Sequence, residues 1–207
     1  HPVDYPFQHI LFVNATPETI LVSGTYNEQV EGETRVFYRL LTYRVENGEP
    51  IWEQTFRATN IRGTDFTGPG GTHGENWQHP VILDGTVYAR PYAFDLATGE
   101  KKDYMLYRGG HGCGGLTASA HYLYGRGDNP RAYPTNVKRT EGIPLTLVNR
   151  PGCWLNIIPA GGLVLIPESS SGCTCAYPLQ TSVALAPKAW AQPASKKRLA
   201  RQIPVQP

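Results

Sequence analysis

The feature that most constrains this chain is a repeated pattern of short apolar strands separated by glycine turns. The pattern recurs at intervals of about 40 residues, and no segment shows a helical period over about ten residues. Four copies are recognisable, spanning Ile20–Phe56, Val81–Leu106, Ala118–Val148 and Ile157–Leu185. Their late turns are Asn47-Gly48-Glu49, Thr98-Gly99-Glu100, Thr140-Glu141-Gly142 and Ala160-Gly161-Gly162. The Gly-Cys pairs Gly112-Cys113 and Gly152-Cys153 lie one such interval apart.

Strand-only repeats of this length predict an all-β fold, a β-propeller built from four-stranded antiparallel blades. A single blade cannot bury both of its faces, so blades stack around an axis. Four copies are few for a closed ring. We therefore expect the C-terminal blades of a larger ring, completed by N-terminal blades outside this sequence or by another chain. A β-sandwich with irregular hairpins is the alternative.

The repeats divide the chain into three parts. Residues 1–9 lead into the first strand, residues 10–186 form about four blades, and residues 187–207 form a basic, Pro/Ala-rich tail that we expect to be extended. The chain begins with His1-Pro2 instead of Met, which indicates a processed product or a piece of a longer protein. Locally, we expect Glu28–Glu33 to be an acidic loop, and we expect Ser119–Tyr124 and Val137–Thr140 each to be a weak strand.

Charge and cysteine content limit the compartment and the partners. The net charge of +2 is too small to indicate a nucleic-acid partner, and no apolar run approaches the ~20 residues of a transmembrane helix. The four cysteines are Cys113, Cys153, Cys173 and Cys175. An even count without a CxxC motif favours disulfides in a periplasmic or extracellular protein. A strained Cys173–Cys175 disulfide and a four-cysteine zinc site are the alternatives.

Two of the copies resemble a known repeat. Val87-Tyr88-Ala89 followed by Ala93-Phe94-Asp95-Leu96-Ala97-Thr98-Gly99-Glu100 is similar to the core of the pyrroloquinoline-quinone (PQQ)-like propeller repeat. Leu41–Trp52 is similar to the version of that repeat that ends in tryptophan. The segments Arg150–Trp154, Pro159–Val164 and Gly172–Cys175 resemble the end of large secreted PQQ-like propeller proteins of planctomycete-type bacteria. The resemblance implies blades over residues 10–186 and a secreted protein.

PQQ itself is a doubtful cofactor, because the chain departs from the quinoprotein dehydrogenases of that family. Quinoprotein dehydrogenases use an adjacent Cys-Cys disulfide over the quinone, a stacking tryptophan, and a calcium site with a catalytic aspartate. Here Thr174 separates the nearest two cysteines, and no Trp-Asp pair occurs.

The densest group of polar side chains precedes the second repeat. Imidazole and amide groups within one loop could bind a divalent metal, which gives His73, Gln78 and His79 as candidate ligands. Glu75, Asn76 and Trp77 lie between them, and His111 lies among glycines before the third repeat; these four are candidate ligand-binding residues. The alternative is structural, with Trp77 packed between blades and the polar residues capping turns.

Two functional hypotheses follow. The first is a non-catalytic scaffold that binds a protein or carbohydrate partner in a cell-envelope assembly. The second is an enzyme that uses the His73–His79 loop, either a quinoprotein-like oxidoreductase or a metal-dependent carbohydrate-active enzyme. Clear repeats without a complete catalytic constellation favour the scaffold.

Overall fold

A computed structural model describes residues 9–57, 79–107, 114–127, 129–152, 154–168 and 181–190. Within these ranges the chain is all-β, and the helical element is one turn of 3₁₀ helix, Lys188–Trp190. The predicted all-β class is therefore confirmed. In the described part of the chain, no helix is long and apolar enough to cross a membrane.

Sixteen strands follow one another along these ranges. They are β1 His9–Ala15, β2 Thr19–Val30, β3 Glu33–Arg44, β4 Pro50–Arg57, β5 Val81–Leu83, β6 Thr86–Ala89, β7 Tyr92–Asp95, β8 Lys101–Leu106, β9 Thr117–Ser119, β10 Tyr122–Gly125, β11 Arg131–Pro134, β12 Arg139–Thr140, β13 Ile143–Pro144, β14 Ile158–Ala160, β15 Leu163–Ile166 and β16 Val183–Leu185.

The strands form four sheets in chain order. Sheet I has the order β1-β2-β3-β4, and sheet II has the order β12-β8-β7-β6-β5. Sheet III has the order β13-β11-β10-β9, and the described strands of sheet IV are β14-β15-β16. Neighbouring strands are antiparallel, except that β12 pairs parallel with β8. Sheets I and III are thus four-stranded antiparallel sheets, as the repeat predicts.

Sheets II, III and IV begin with the same unit. A three-residue strand, a two-residue turn and a four-residue strand give the pairs β5–β6, β9–β10 and β14–β15. The turns are Asp84-Gly85, Ala120-His121 and Gly161-Gly162. Because the spacing is identical, positions before the first strand correspond one to one among these sheets.

Consecutive sheets pack face to face through three apolar clusters. Sheets I and II share Leu21, Leu40, Val87, Ala89 and Phe94; sheets II and III share Tyr88, Ala93, Tyr104, Leu106, Leu116, Leu123 and Tyr133; sheets III and IV share Tyr124, Ala132, Ile157 and Ile166. Each large side chain fully buried in this way contributes about 1.5–3 kcal/mol. The alternation within each strand explains the packing, because successive residues of one strand point to opposite faces of the sheet and so meet different neighbouring sheets.

Three local predictions differ from the structure. The expected acidic loop begins too early, because β2 continues to Val30 and the turn is Glu31-Gly32. Ser119–Tyr124 is not one strand, because the Ala120-His121 turn divides it between β9 and β10. The strand expected at Val137–Thr140 joins the outer edge of sheet II instead of its own repeat, since Met105 and Tyr107 donate to the carbonyls of Lys138 and Thr140 at 2.8 Å.

Candidate functional site

The first strands of successive sheets lie side by side. Packing contacts join β5 to β9 and β9 to β14. Between sheets I and II, the Asn14 Nδ2 donates to the Pro80 carbonyl at 3.3 Å. Between sheets III and IV, the Thr117 hydroxyl donates to the Ile157 carbonyl at 2.5 Å. The first strands therefore bring one residue of each sheet to a common region, and this region is the candidate site.

A row of four residues crosses the sheets there. His79, Gly115 and Asn156 each stand two residues before the first strand of sheets II, III and IV, and Phe12 lies on β1 of sheet I. The rings of Phe12 and His79 stack with centroids 4.5 Å apart and planes inclined by 24°. The Gly115 N–H donates to Asn156 Oδ1 at 3.2 Å. We call Phe12, His79, Gly115 and Asn156 the cross-sheet row.

The absence of a side chain at Gly115 allows His79 and Asn156 to lie close to the backbone of sheet III. A Cβ at this position would lie 3.3 Å from the His79 Cβ and 3.6 Å from Asn156 Oδ1. Both distances are at or below ordinary van der Waals contact for such atoms. The missing side chain therefore lets the backbone of sheet III sit between the imidazole and the amide.

His79 is half-buried, and burial lowers its pKa below the ordinary 6.5. At neutral pH the ring is therefore uncharged, with one nitrogen as donor and the other as acceptor. The contacts that the described residues give it are the Phe12 ring and Gly115. In this form the ring can hydrogen-bond to a ligand both as a donor and as an acceptor.

An exposed tryptophan flanks the row at sheet IV. Trp154 is 46% exposed and adopts a left-handed backbone with φ 64°. For a bulky residue such a conformation costs about 1–3 kcal/mol and requires support from its surroundings. Its Cα lies 4.0 Å from where a Cβ on Gly114 would stand, so Trp154 packs close to the backbone that leads into sheet III. The strained residue, Trp154, therefore lies two positions before Asn156 in the sequence.

A buried arginine is hydrogen-bonded to the backbone at Gly114. Arg90 follows β6, is 9% exposed, and donates through Nη2 to the Gly114 carbonyl at 3.2 Å. Arg126 follows β10 at the corresponding place and is 4% exposed. The guanidinium of Arg90 therefore ties sheet II to the segment that carries Gly115.

Of the residues predicted from sequence, His79 is the one that the structure describes, and it lies in the row. His73, Glu75, Asn76, Trp77, Gln78, His111, Cys113, Cys153, Cys173 and Cys175 lie outside the described residues. Within the described ranges, no group of three or more His, Cys, Asp or Glu side chains is placed to hold a metal ion.

Sequence reasoning missed Phe12, Gly115, Asn156 and Trp154. The signal for Gly115 and Asn156 was their fixed distance from the strand–turn–strand unit, which repeats without change in three sheets. Phe12 carries no such signal, because the turn after β1 is longer.

Comparisons with known proteins do not identify a family for this chain. No protein-family model matches the chain, and the search of curated proteins found no match.

Proposed function

We propose that this chain forms consecutive blades of a PQQ-like β-propeller that serves as a binding scaffold in a secreted or periplasmic protein. The support is the packing of four up-and-down sheets in chain order with their first strands adjacent. Such strand-only repeats favour blades over a two-layer sandwich, because each inner sheet packs on both faces.

The observation that carries a binding role is the cross-sheet row. Four consecutive sheets each contribute one residue to one region, as axial sites of repeat architectures are built. The residues are neutral and each lies next to the following one: an aromatic ring, an imidazole with a lowered pKa, a glycine and an amide. This set can orient a ligand by hydrogen bonds and stacking without making or breaking covalent bonds.

Further blades complete the ring in this proposal, from another chain or from the rest of a longer protein. Its support is apolar surface on the two end sheets. Val13 on β1 is 62% exposed and Ile158 on β14 is 48% exposed, although both lie on first strands. A cell-envelope assembly that contains such blades would cover these side chains.

Electron microscopy of the longest secreted protein that contains this chain tests the scaffold. Class averages should show a ring of blades around an axial opening, and metal and quinone analysis of the same preparation should give less than about 0.1 equivalent of either. A two-layer particle without an opening would contradict the propeller. One equivalent of bound quinone would contradict the non-catalytic role.

A metal-dependent enzyme that uses the His73–His79 loop is the second candidate. The observation that favours it is the position of His79 at the end of this loop and within the cross-sheet row, because imidazole is a common metal ligand. In that case, purified protein retains one equivalent of a divalent metal, and His79→Ala removes it. His121→Ala is the matched control, since His121 is exposed on the β9–β10 turn. Retention of metal in both variants contradicts a role for His79.

A further inference from the structure

The two faces of each sheet meet different neighbours. In the four-residue strand of the repeated unit, the second residue packs towards the preceding sheet, as Val87 and Leu123 do. The third residue packs towards the following sheet, as Tyr88 and Tyr124 do. We call these two sides the leading face and the trailing face of a sheet. Each described junction therefore joins the trailing face of one sheet to the leading face of the next.

The three-residue strand of the unit follows the same rule. Val81, its first residue in sheet II, packs in the cluster shared with sheet III. Thr117, its first residue in sheet III, donates to the Ile157 carbonyl next to sheet IV. The middle residues, Ile82 and Ala118, pack towards the preceding sheet instead. The position of a residue within the unit therefore predicts which neighbouring sheet it contacts.

The trailing face of sheet IV is apolar and partly exposed. Leu165 is the third residue of β15 and corresponds to Tyr88 and Tyr124, and Ile158 is the first residue of β14 and corresponds to Val81. Ile158 is 48% exposed. The register of β14, β15 and β16 places five apolar residues on this face, Ile158, Ala160, Leu163, Leu165 and Ala184. These positions meet a further sheet in sheets II and III, so we expect a sheet to cover them here.

Sheet I has an apolar leading face. Val13, Val22 and Leu41 lie side by side across β1, β2 and β3. They are on the side opposite Leu21, which packs against sheet II. Val13 is 62% exposed, although it lies on the first strand. Because Val13 and Ile158 are both exposed, the two end faces do not cover each other within one chain.

Charged side chains enter the leading face of sheet I at β3 and β4. Glu53 on β4 lies opposite Leu41, and its Oε1 accepts from Arg39 Nε at 2.7 Å. These two charges compensate each other, and Val13 and Val22 on the inner strands leave an apolar surface beside them. The uncharged trailing face of sheet IV matches that inner, apolar part.

We propose that the trailing face of sheet IV packs on the leading face of sheet I of a second copy of this chain, and that two such contacts close a ring. The contact continues the pattern of the three junctions within the chain, which all join unlike faces. Contacts between unlike faces form either closed rings or open filaments. Two copies supply eight sheets, which is within the four to eight blades typical of propellers, whereas three copies exceed that range. This inference rests on the proposed propeller and names its partner.

Sedimentation velocity of the 207-residue chain tests the contact. The wild type should sediment as a dimer that dissociates on dilution. Val13→Lys and Ile158→Glu each place a charge in the apolar contact, so each should raise the dissociation constant of the dimer by about tenfold or more. Both residues are exposed in the single chain, so both variants should remain folded, and melting curves check this.

The double variant Val13→Lys/Ile158→Glu tests which faces meet. In the head-to-tail ring, Lys and Glu are close to each other at both contacts, so the double variant should dimerise more tightly than either single variant. Val137→Lys is the matched control, because Val137 is also exposed, at 38%, and lies between β11 and β12, outside both end faces. Its dissociation constant should stay within about twofold of wild type.

Three results overturn the proposal. The first is a wild-type chain that stays monomeric at all concentrations. The second is a Val13→Lys variant that dimerises as wild type does while Ile158→Glu does not, because two trailing faces would then meet each other. The third is growth into filaments, which would mean that the contact does not close with two copies.

The second copy and the scaffold fail in different ways. If micrographs show a ring but the 207-residue chain sediments as a monomer, the second copy is wrong and the scaffold stands. If the chain dimerises through Val13 and Ile158 but the particle has no axial opening, the propeller is wrong and the contact between the end faces stands.

Discussion

The imidazole of His79 stacks on the ring of Phe12, with 4.5 Å between the centroids, and so joins the first strand of sheet I to the segment that leads into sheet II. The Asn14 side chain makes a second link between the same sheets by donating to the Pro80 carbonyl at 3.3 Å. Because the two links are adjacent, the position of His79 depends on sheet I, although it belongs to sheet II. The chemistry of this histidine is therefore coupled to the packing of the sheets.

The first prediction concerns acid stability. His79 has a pKa lowered by burial, whereas an unfolded histidine has the ordinary pKa near 6.5. The unfolded chain thus takes up its proton first as the pH falls. The stabilisation is complete above about 6.5 and is lost progressively as the pH falls towards the lower native pKa. Melting curves across about pH 5 to 8 should show this loss in the wild type and a smaller loss in His79→Gln.

His121→Gln is the control for that experiment, because His121 is exposed on the β9–β10 turn. Its melting temperature should follow the wild-type pH dependence. If His79→Gln and the wild type lose the same stability between neutral and acidic pH, then burial of His79 is not coupled to folding.

The second prediction compares two turn glycines with the same backbone. Gly48 and Gly99 have φ values of 72° and 74° in the late turns of sheets I and II. A Cβ at Gly48 meets nothing within 4 Å, while one at Gly99 would lie 2.7 Å from the indole of Trp52. Trp52 has little room to move, since its Nε1 donates to the Leu96 carbonyl at 2.8 Å.

Gly48→Ala should therefore cost about 1–2 kcal/mol, the penalty for an L residue in the left-handed region. Gly99→Ala adds the cost of overpacking and should lose about 2–5 kcal/mol in total. Urea denaturation gives both values. Equal losses would show that Trp52 moves away without cost.

The sequence predicted best those features that depend on the backbone conformation of a few neighbouring residues. The Asn47-Gly48 and Thr98-Gly99 turns are where they were expected, because glycine accepts positive φ. The pairing of β12 with β8 was missed, because a two-residue strand has no sequence pattern that identifies the sheet edge it joins. In the site, His79 was found through the density of polar residues around it. Gly115 and Asn156 were missed because they contact each other across a separation of 41 residues and look like ordinary loop residues.

The third prediction concerns β12 on the edge of sheet II. The N–H groups of Met105 and Tyr107 donate to the carbonyls of Lys138 and Thr140, so hydrogen exchange at both amides should be slow. The outward N–H groups of β4 are the control, because β4 is the edge strand of sheet I. They should exchange much faster than Met105 and Tyr107.

A substitution in the turn after β12 tests the pairing of β12 with β8 more directly. Gly142 has φ 76°, and a Cβ there would lie 2.6 Å from the ring of Tyr133. Gly142→Ala should displace the turn and raise the exchange rates of Met105 and Tyr107, with little change in sheet I. Unchanged protection in this variant would mean that β12 holds its place independently of the turn.

The fourth prediction tests the buried arginine that supports the row. Arg90→Met keeps the length and apolar stem of the side chain but removes the donor to the Gly114 carbonyl, which is buried. A lost hydrogen bond from a charged donor costs about 1.5–3 kcal/mol, so the free energy of unfolding should fall by that amount. Arg44→Met on the exposed end of β3 is the control and should stay within about 0.5 kcal/mol of wild type.

Because Arg90 holds the backbone beside Gly115, the His79 NMR resonances should shift in Arg90→Met and not in Arg44→Met. A destabilised variant with unshifted His79 resonances would limit Arg90 to a structural role outside the row.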